Sequence, residues 1–161
     1  MIKIIINNSL IVLLEIIFCV PAFAQSYGYV NVFNNRHVIT IQETPAFVAS
    51  GDRAGDSKFC KPSDLFYCVA SQWLNFAVPI LKKNKLSKWE VDGYNYQLTD
   101  QGRKHLLGRD MDVLVIESTQ DARRFRFLYS ERYGLVAFSV DIDGTSETFI
   151  SDRATGFGKQ H

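Results

Sequence analysis

Recognisable catalytic motifs are the first thing this chain lacks. It has three histidines and three cysteines in 161 residues. There is no H-E-x-x-H, no G-x-S-x-G and no glycine-rich phosphate loop, so the chemistries those motifs carry have no support here. Net charge is lacking too, since 18 Lys+Arg face 17 Asp+Glu for a balance of +1. Phosphate-backbone binding leaves a broad basic footprint, so nucleic acid is not an expected partner. No repeat or low-complexity tract is present, and 47% hydrophobic with 22% charged residues excludes wholesale disorder. The length suits one domain, because two would share about 70 residues each.

The first 24 residues stand apart. Lys3 is their only positive charge, an apolar stretch runs from Leu10 to Val20, and Pro21 interrupts it before Ala22-Phe23-Ala24. That order predicts a signal peptide over residues 1–24, cleaved before Gln25, where small residues occupy the two positions a signal peptidase reads. Leu10 to Ala24 is 15 residues, short of the roughly 20 that span a bilayer as a helix. An uncleaved anchor is the rival, and Pro21 argues against it. Glu15 is irregular for either. Cys19 lacks the small residues expected before a lipid-attachment site. The expected location is periplasmic or secreted in a bacterium, with no transmembrane segment after cleavage.

Removing that segment leaves 17 basic and 16 acidic residues, with two cysteines, Cys60 and Cys68. An even pair in an oxidising compartment is expected to bond. The C-x7-C spacing fits neither a redox C-x-x-C nor a zinc knuckle.

Nineteen of the 21 aromatics follow residue 24, enough to fill the core of a β-rich domain over 25–161. Tyr27–Phe33 and Arg36–Ile41 read as a hairpin around Asn34-Asn35, and Pro45–Ser63 reads as a long loop. Leu65–Pro79 balances helical spacing against β-forming residue types, and propensity favours strand. Trp89–Leu98 alternates around Asp92-Gly93, a strong hairpin signal. Thr99–Leu107 reads as a short helix capped by Thr99 and stopped by Gly108. Val113–Ile116, Phe125–Tyr129, Leu135–Val140 and Glu147–Ile150 read as strands, the last two joined at Asp143-Gly144. Trp89 to Ile150 thus holds six short strands in meander order, with no helix long enough for parallel crossovers. The expected fold is all-β or β-dominated, an antiparallel meander forming a sandwich or partly closed barrel with at most one or two short helices. Residues 151–161 are expected to form a flexible tail.

Candidate sites are few. No catalytic residues, metal ligands or cofactor are assigned. His37 and His105 read as solvated surface residues, and a dispersed triad such as Ser71, His37 and Asp92 has nothing pointing to it. Asp141-Ile142-Asp143-Gly144 is a fragment of a calcium loop, yet Asp and Gly are also what a hairpin turn requires. Two basic clusters remain. Lys82, Lys83, Lys85 and Lys88 lie within seven residues without an acid, and Arg124 and Arg126 share a strand face opposite Phe125 and Phe127. Either could meet an anionic surface, although cross-strand pairing of the arginines with Asp141 or Glu147 explains them equally well. The tyrosines at 27, 29, 94, 96, 129 and 133 are expected mainly in the core.

The expected function is that of an exported, non-enzymatic binding domain. Its partner would be a protein of the cell envelope or an anionic envelope surface, and an inhibitor or immunity role would suit such a domain. An envelope-acting hydrolase with a dispersed site is the first alternative. An assembly component exposing a free strand edge or an apolar patch is the second.

Overall fold

The computed structural model describes residues 25–60, 65–80, 86–120 and 122–160. The expected signal peptide over residues 1–24 and Lys82, Lys83 and Lys85 lie outside them. The described residues form strands and connections without a helix. These are β1 (Ser26–Asn31), β2 (Val38–Gln42), β3 (Phe47–Ser50), β4 (Arg53–Asp56), β5 (Lys58–Phe59), β6 (Phe66–Ala70) and β7 (Asn75–Pro79). β8 (Lys88–Val91), β9 (Tyr94–Leu106), β10 (Arg109–Gln120), β11 (Arg123–Ser130), β12 (Gly134–Ile142) and β13 (Thr145–Ser151) follow.

β8 to β13 are the meander the sequence predicts. Asp92-Gly93 and Asp143-Gly144 both hold positive φ at the two central residues, 51° and 80° in one and 51° and 79° in the other. That is the twist a two-residue hairpin needs. The expected helix at Thr99–Leu107 is instead the second half of β9, paired with β10 from Leu106↔Arg109 inward. Leu107-Gly108 makes the same kind of turn, with φ of 53° and 72°. Leucine at positive φ is uncommon, which is why Leu106-Leu107-Gly108 resembles a helix end in the sequence.

The sheet continues beyond the meander because β1 pairs with β13, Tyr29 opposite Ser151. Ten strands result, in the order β4-β3-β2-β1-β13-β12-β11-β10-β9-β8, with β4 and β8 as open edges. Every neighbouring pair is antiparallel. The expected loop over Pro45–Ser63 contributes β3, β4 and β5. Its alternation is short and broken by glycine, so pairing with β2 rather than local pattern makes it strand. Leu65–Pro79 is strand, but as two strands. Ser71 turns the chain between β6 and β7, its hydroxyl accepting the Trp73 and Leu74 amides and donating to the Leu74 carbonyl.

β5-β6-β7 form a second sheet, and the two sheets enclose the core as a sandwich. Phe76 of β7 lies 5.0 Å from Phe127 and 6.0 Å from Tyr129, centroid to centroid. The Tyr27, Tyr29, Tyr96 and Tyr129 side chains are buried, and each such aromatic removes roughly 150–250 Å² from water. Cys60 and Cys68 are bonded and tie the end of β5 to β6.

The end of the chain departs most from expectation. Residues 151–160 are not a frayed tail but a strap across the open end of the sandwich. Phe157 is only 3% exposed and meets Tyr27, Phe59 and Phe76. The Gly156 amide donates to the Tyr133 carbonyl, the Phe157 amide to the Tyr29 hydroxyl, and Tyr129 donates to the Gly158 carbonyl. A Cβ on Gly156 would collide with the Leu135 carbonyl. The glycines that suggest fraying are what let the strap lie flat.

Candidate functional site

The outward face of the meander is where the sequence-predicted binding residues fall. Register sets Lys88, Gln97, Glu117, Arg126, Ser139 and Thr148 in one row across six strands. The next row holds Glu90, Asn95, Thr119, Arg124, Asp141 and Ser146. Because side chains alternate along a strand, the row between them points inward, with Trp89, Tyr96 and Phe125 in the core. A sheet with one dry face and one polar face follows directly.

An open groove of about 620 Å³ runs over the first four strands of this face, lined by Lys88, Asn95, Gln97, Glu117, Thr119 and Arg124. Its edge strand is well anchored. Trp89 stacks on Tyr96 at 5.9 Å and donates its indole N–H to the Ala77 carbonyl of the second sheet at 3.1 Å. Burial pushes the Tyr96 phenol well above its ordinary range.

The charges in the groove are not balanced. Arg126 donates twice to Glu117 Oε1, at 2.9 and 2.7 Å, so that arginine and that carboxylate offset each other. Asp141, opposite Arg124, accepts the Gly144 amide and closes its turn, which is the hairpin role rather than the calcium one. No hydrogen bond or ion pair from a described residue engages the side chain of Lys88 or of Arg124. Thus Lys88 and Arg124, from the two separate basic clusters, share one groove. Arg126 lies beside it but is committed. The Cys60–Cys68 bond belongs to the other sheet.

Beyond Leu98, β9 has only β10 as a neighbour among the described residues. Asp100, Arg103, Lys104 and His105 line this free edge, with Lys104 donating to Asp100 at 2.8 Å and His105 meeting Asp110 at 2.9 Å. The Lys104 hydrogen bond holds the Asp100 carboxyl below its usual range. Charged side chains are a common guard on an open edge.

A second cleft, about 390 Å³, lies beside the disulfide and is lined by Tyr27, Glu43, Phe59, Tyr67 and the strap. Burial, and then the Glu43 charge, push the Tyr27 phenol up to about 12.

His37 is not the isolated surface residue its sequence context implies. Its Nε2 lies 3.1 Å from Ser50 Oγ and its Nδ1 lies 3.5 Å from Glu147 Oε1. The Phe149 ring meets the imidazole edge-on, 5.0 Å away at 85°. His37 immediately precedes β2, Ser50 ends β3 and Glu147 sits on β13, so three distant segments meet at the core-side rim of the sheet. Ser71 and Asp92, weighed with His37 in the sequence, occupy the β6–β7 and β8–β9 turns instead. The sequence carries no signal for this cluster, because β1 must first insert between β2 and β13.

Among the described residues no helix is long and apolar enough to cross a membrane, and no group of three or more His, Cys, Asp or Glu stands ready for a metal ion. The chain matches no protein-family model, no curated protein and no solved structure.

Proposed function

We propose that this chain is an exported binding domain that recognises an acidic segment of an envelope protein through the groove over β8 to β11. The observation that carries this reading is the pair of uncompensated cations, Lys88 and Arg124, in a groove otherwise lined by amides, a hydroxyl and a neutralised carboxylate. Carboxylates of a partner would supply the missing charge, and Asn95, Gln97 and Thr119 offer hydrogen bonds that fix register. Lys82, Lys83 and Lys85 stand just before β8 in the sequence. The openness of the groove suits a macromolecular surface better than a small ligand, which is normally enclosed.

Export supports the reading from the other end of the chain. The leader-like segment and the Cys60–Cys68 bond both fit an oxidising compartment. Mass spectrometry of the exported protein is expected to begin at Gln25 and to lie two protons below the reduced mass.

The test of recognition is a pull-down from envelope extract with the mature protein and with a Lys88→Glu/Arg124→Glu double variant. One stoichiometric acidic partner should be retained by the first, lost by the second and released by salt, which screens exposed charge beyond about 3 Å at 1 M. Equal retention by both proteins would remove the groove from the explanation.

A further inference from the structure

We infer that Ser50, His37 and Glu147 form an acyl-transfer centre that hydrolyses small acyl esters carried on larger molecules. This goes beyond the binding function, which concerns the opposite face of the sheet.

The geometry follows the logic of an activated hydroxyl. A carboxylate can only accept hydrogen bonds, so Glu147 beside Nδ1 selects the tautomer with the proton on that nitrogen. Nε2 then carries the lone pair, and the Ser50 hydroxyl donates to it across 3.1 Å. Phe149 against the ring sets the imidazole plane so that both contacts hold together. A nucleophile within reach of a base, and a base oriented by a third group, is the arrangement that makes a serine reactive.

The step balances without a cofactor. As Ser50 Oγ bonds to the ester carbonyl carbon, its proton passes to Nε2. The tetrahedral adduct collapses, the C–O bond to the alcohol breaks, and the alcohol oxygen takes the proton from Nε2. Water, deprotonated by the same nitrogen, then attacks the acyl-serine, and collapse returns a carboxylic acid and the Ser50 hydroxyl.

Substrate class follows from the surroundings. None of the three large clefts among the described residues includes these three side chains, so the centre sits on open surface that suits a short acyl group on a bulky alcohol. The turn before His37 displays Val32 and Phe33, 44% and 86% exposed. That turn is organised rather than loose, since the Asn31 side-chain oxygen accepts the Phe33 and Asn34 amides. An ordered turn that displays an exposed aromatic just before His37 in the chain is a surface for a carrier to rest on. The Gly51 amide is spent on the Val38 carbonyl and cannot hold an oxyanion, which favours esters over the less reactive amides.

The experiment is labelling of the full chain with a fluorophosphonate, which phosphonylates an activated serine with loss of fluoride, together with p-nitrophenyl acetate hydrolysis. Labelling is expected at Ser50 alone by peptide mass spectrometry and should vanish in Ser50→Ala. His37→Gln should slow hydrolysis about 10²–10⁴-fold. Glu147→Gln should lower kcat by a smaller factor at unchanged KM and unchanged melting temperature, and Glu147→Asp should restore part of it, as befits a positioning residue. Absence of labelling on folded protein, labelling that persists in Ser50→Ala, or an undiminished rate in His37→Gln would each overturn the proposal.

Discussion

The meander of β8 to β13 and the seam that joins it to β1 to β7 are held together in different ways. In the meander each strand pairs with the next in sequence through a tight turn, so register is written locally. At the seam β1 reaches across the chain to β13, a disulfide ties β5 to β6, and Phe157 of the strap wedges between aromatics from both sheets. The groove lies wholly within the first region and the His37 cluster lies on the second. A contact built from neighbours tolerates the loss of one member better than a contact built from residues a hundred positions apart, because no local pairing remains to re-form it.

Several changes set the two regions against each other. Phe157→Ala should be the most damaging, costing about 3–5 kcal/mol in urea unfolding as a large core aromatic is lost. If it leaves the midpoint unchanged, the strap is not a structural member. Reducing the disulfide, or replacing Cys60 and Cys68 by alanine, should cost about 2–3 kcal/mol for a nine-residue closed loop on the chain-entropy account. Within the meander, Gly93→Ala places a side chain at φ of 80° with open space around it. Only backbone strain opposes it, about 1–2 kcal/mol, and a larger loss would show the hairpins to be less independent than their local register implies.

Alkaline pH probes the seam through its phenols. Tyr27, Tyr29 and Tyr129 all titrate above the ordinary tyrosine range because burial disfavours the phenolate. The unfolded chain therefore loses these protons first. Stability is intact below pH 10 and should fall as pH rises from about 10 to 12, where Tyr27 titrates in the folded state. Tyr27→Phe should shallow that fall in thermal melts at successive pH values, though only in part, since Tyr27 borders the open cleft. An unchanged slope would place the alkaline sensitivity elsewhere. Smallest in stability is Lys88→Glu with Arg124→Glu. Both are surface changes and should move the melting midpoint by no more than about 0.5 kcal/mol while abolishing capture of the acidic partner.

How far the sequence could be read follows the same division. Asp92-Gly93, Asp143-Gly144 and the alternation of Phe125, Phe127 and Tyr129 announce their strands and faces. Leu107-Gly108 does not, because leucine at positive φ is accepted only when the strands on either side are already paired. Pro45–Ser63 looks like a loop because β3 and β4 acquire their order from β2. The strap looks frayed because its single buried aromatic, Phe157, has no local periodicity. Both basic clusters are visible as clusters, but that Lys88 and Arg124 share a groove while Arg126 is occupied by Glu117 depends on register across four strands. Ser50, His37 and Glu147 are three unremarkable residues until β1 lies between β2 and β13.

The sequence by itself determines an antiparallel β protein with a polar and an apolar side, a bonded cysteine pair and tyrosines mostly inside. Turn chemistry and side-chain alternation act over a few residues and survive any change of partner. The ten-strand order, the strap and the meeting of Ser50, His37 and Glu147 are decided only by the tertiary structure. Each rests on one long-range choice, the docking of β1 on β13 and of Phe157 on the core, and that choice is made by burying aromatic surface that no local pattern assigns to a particular neighbour.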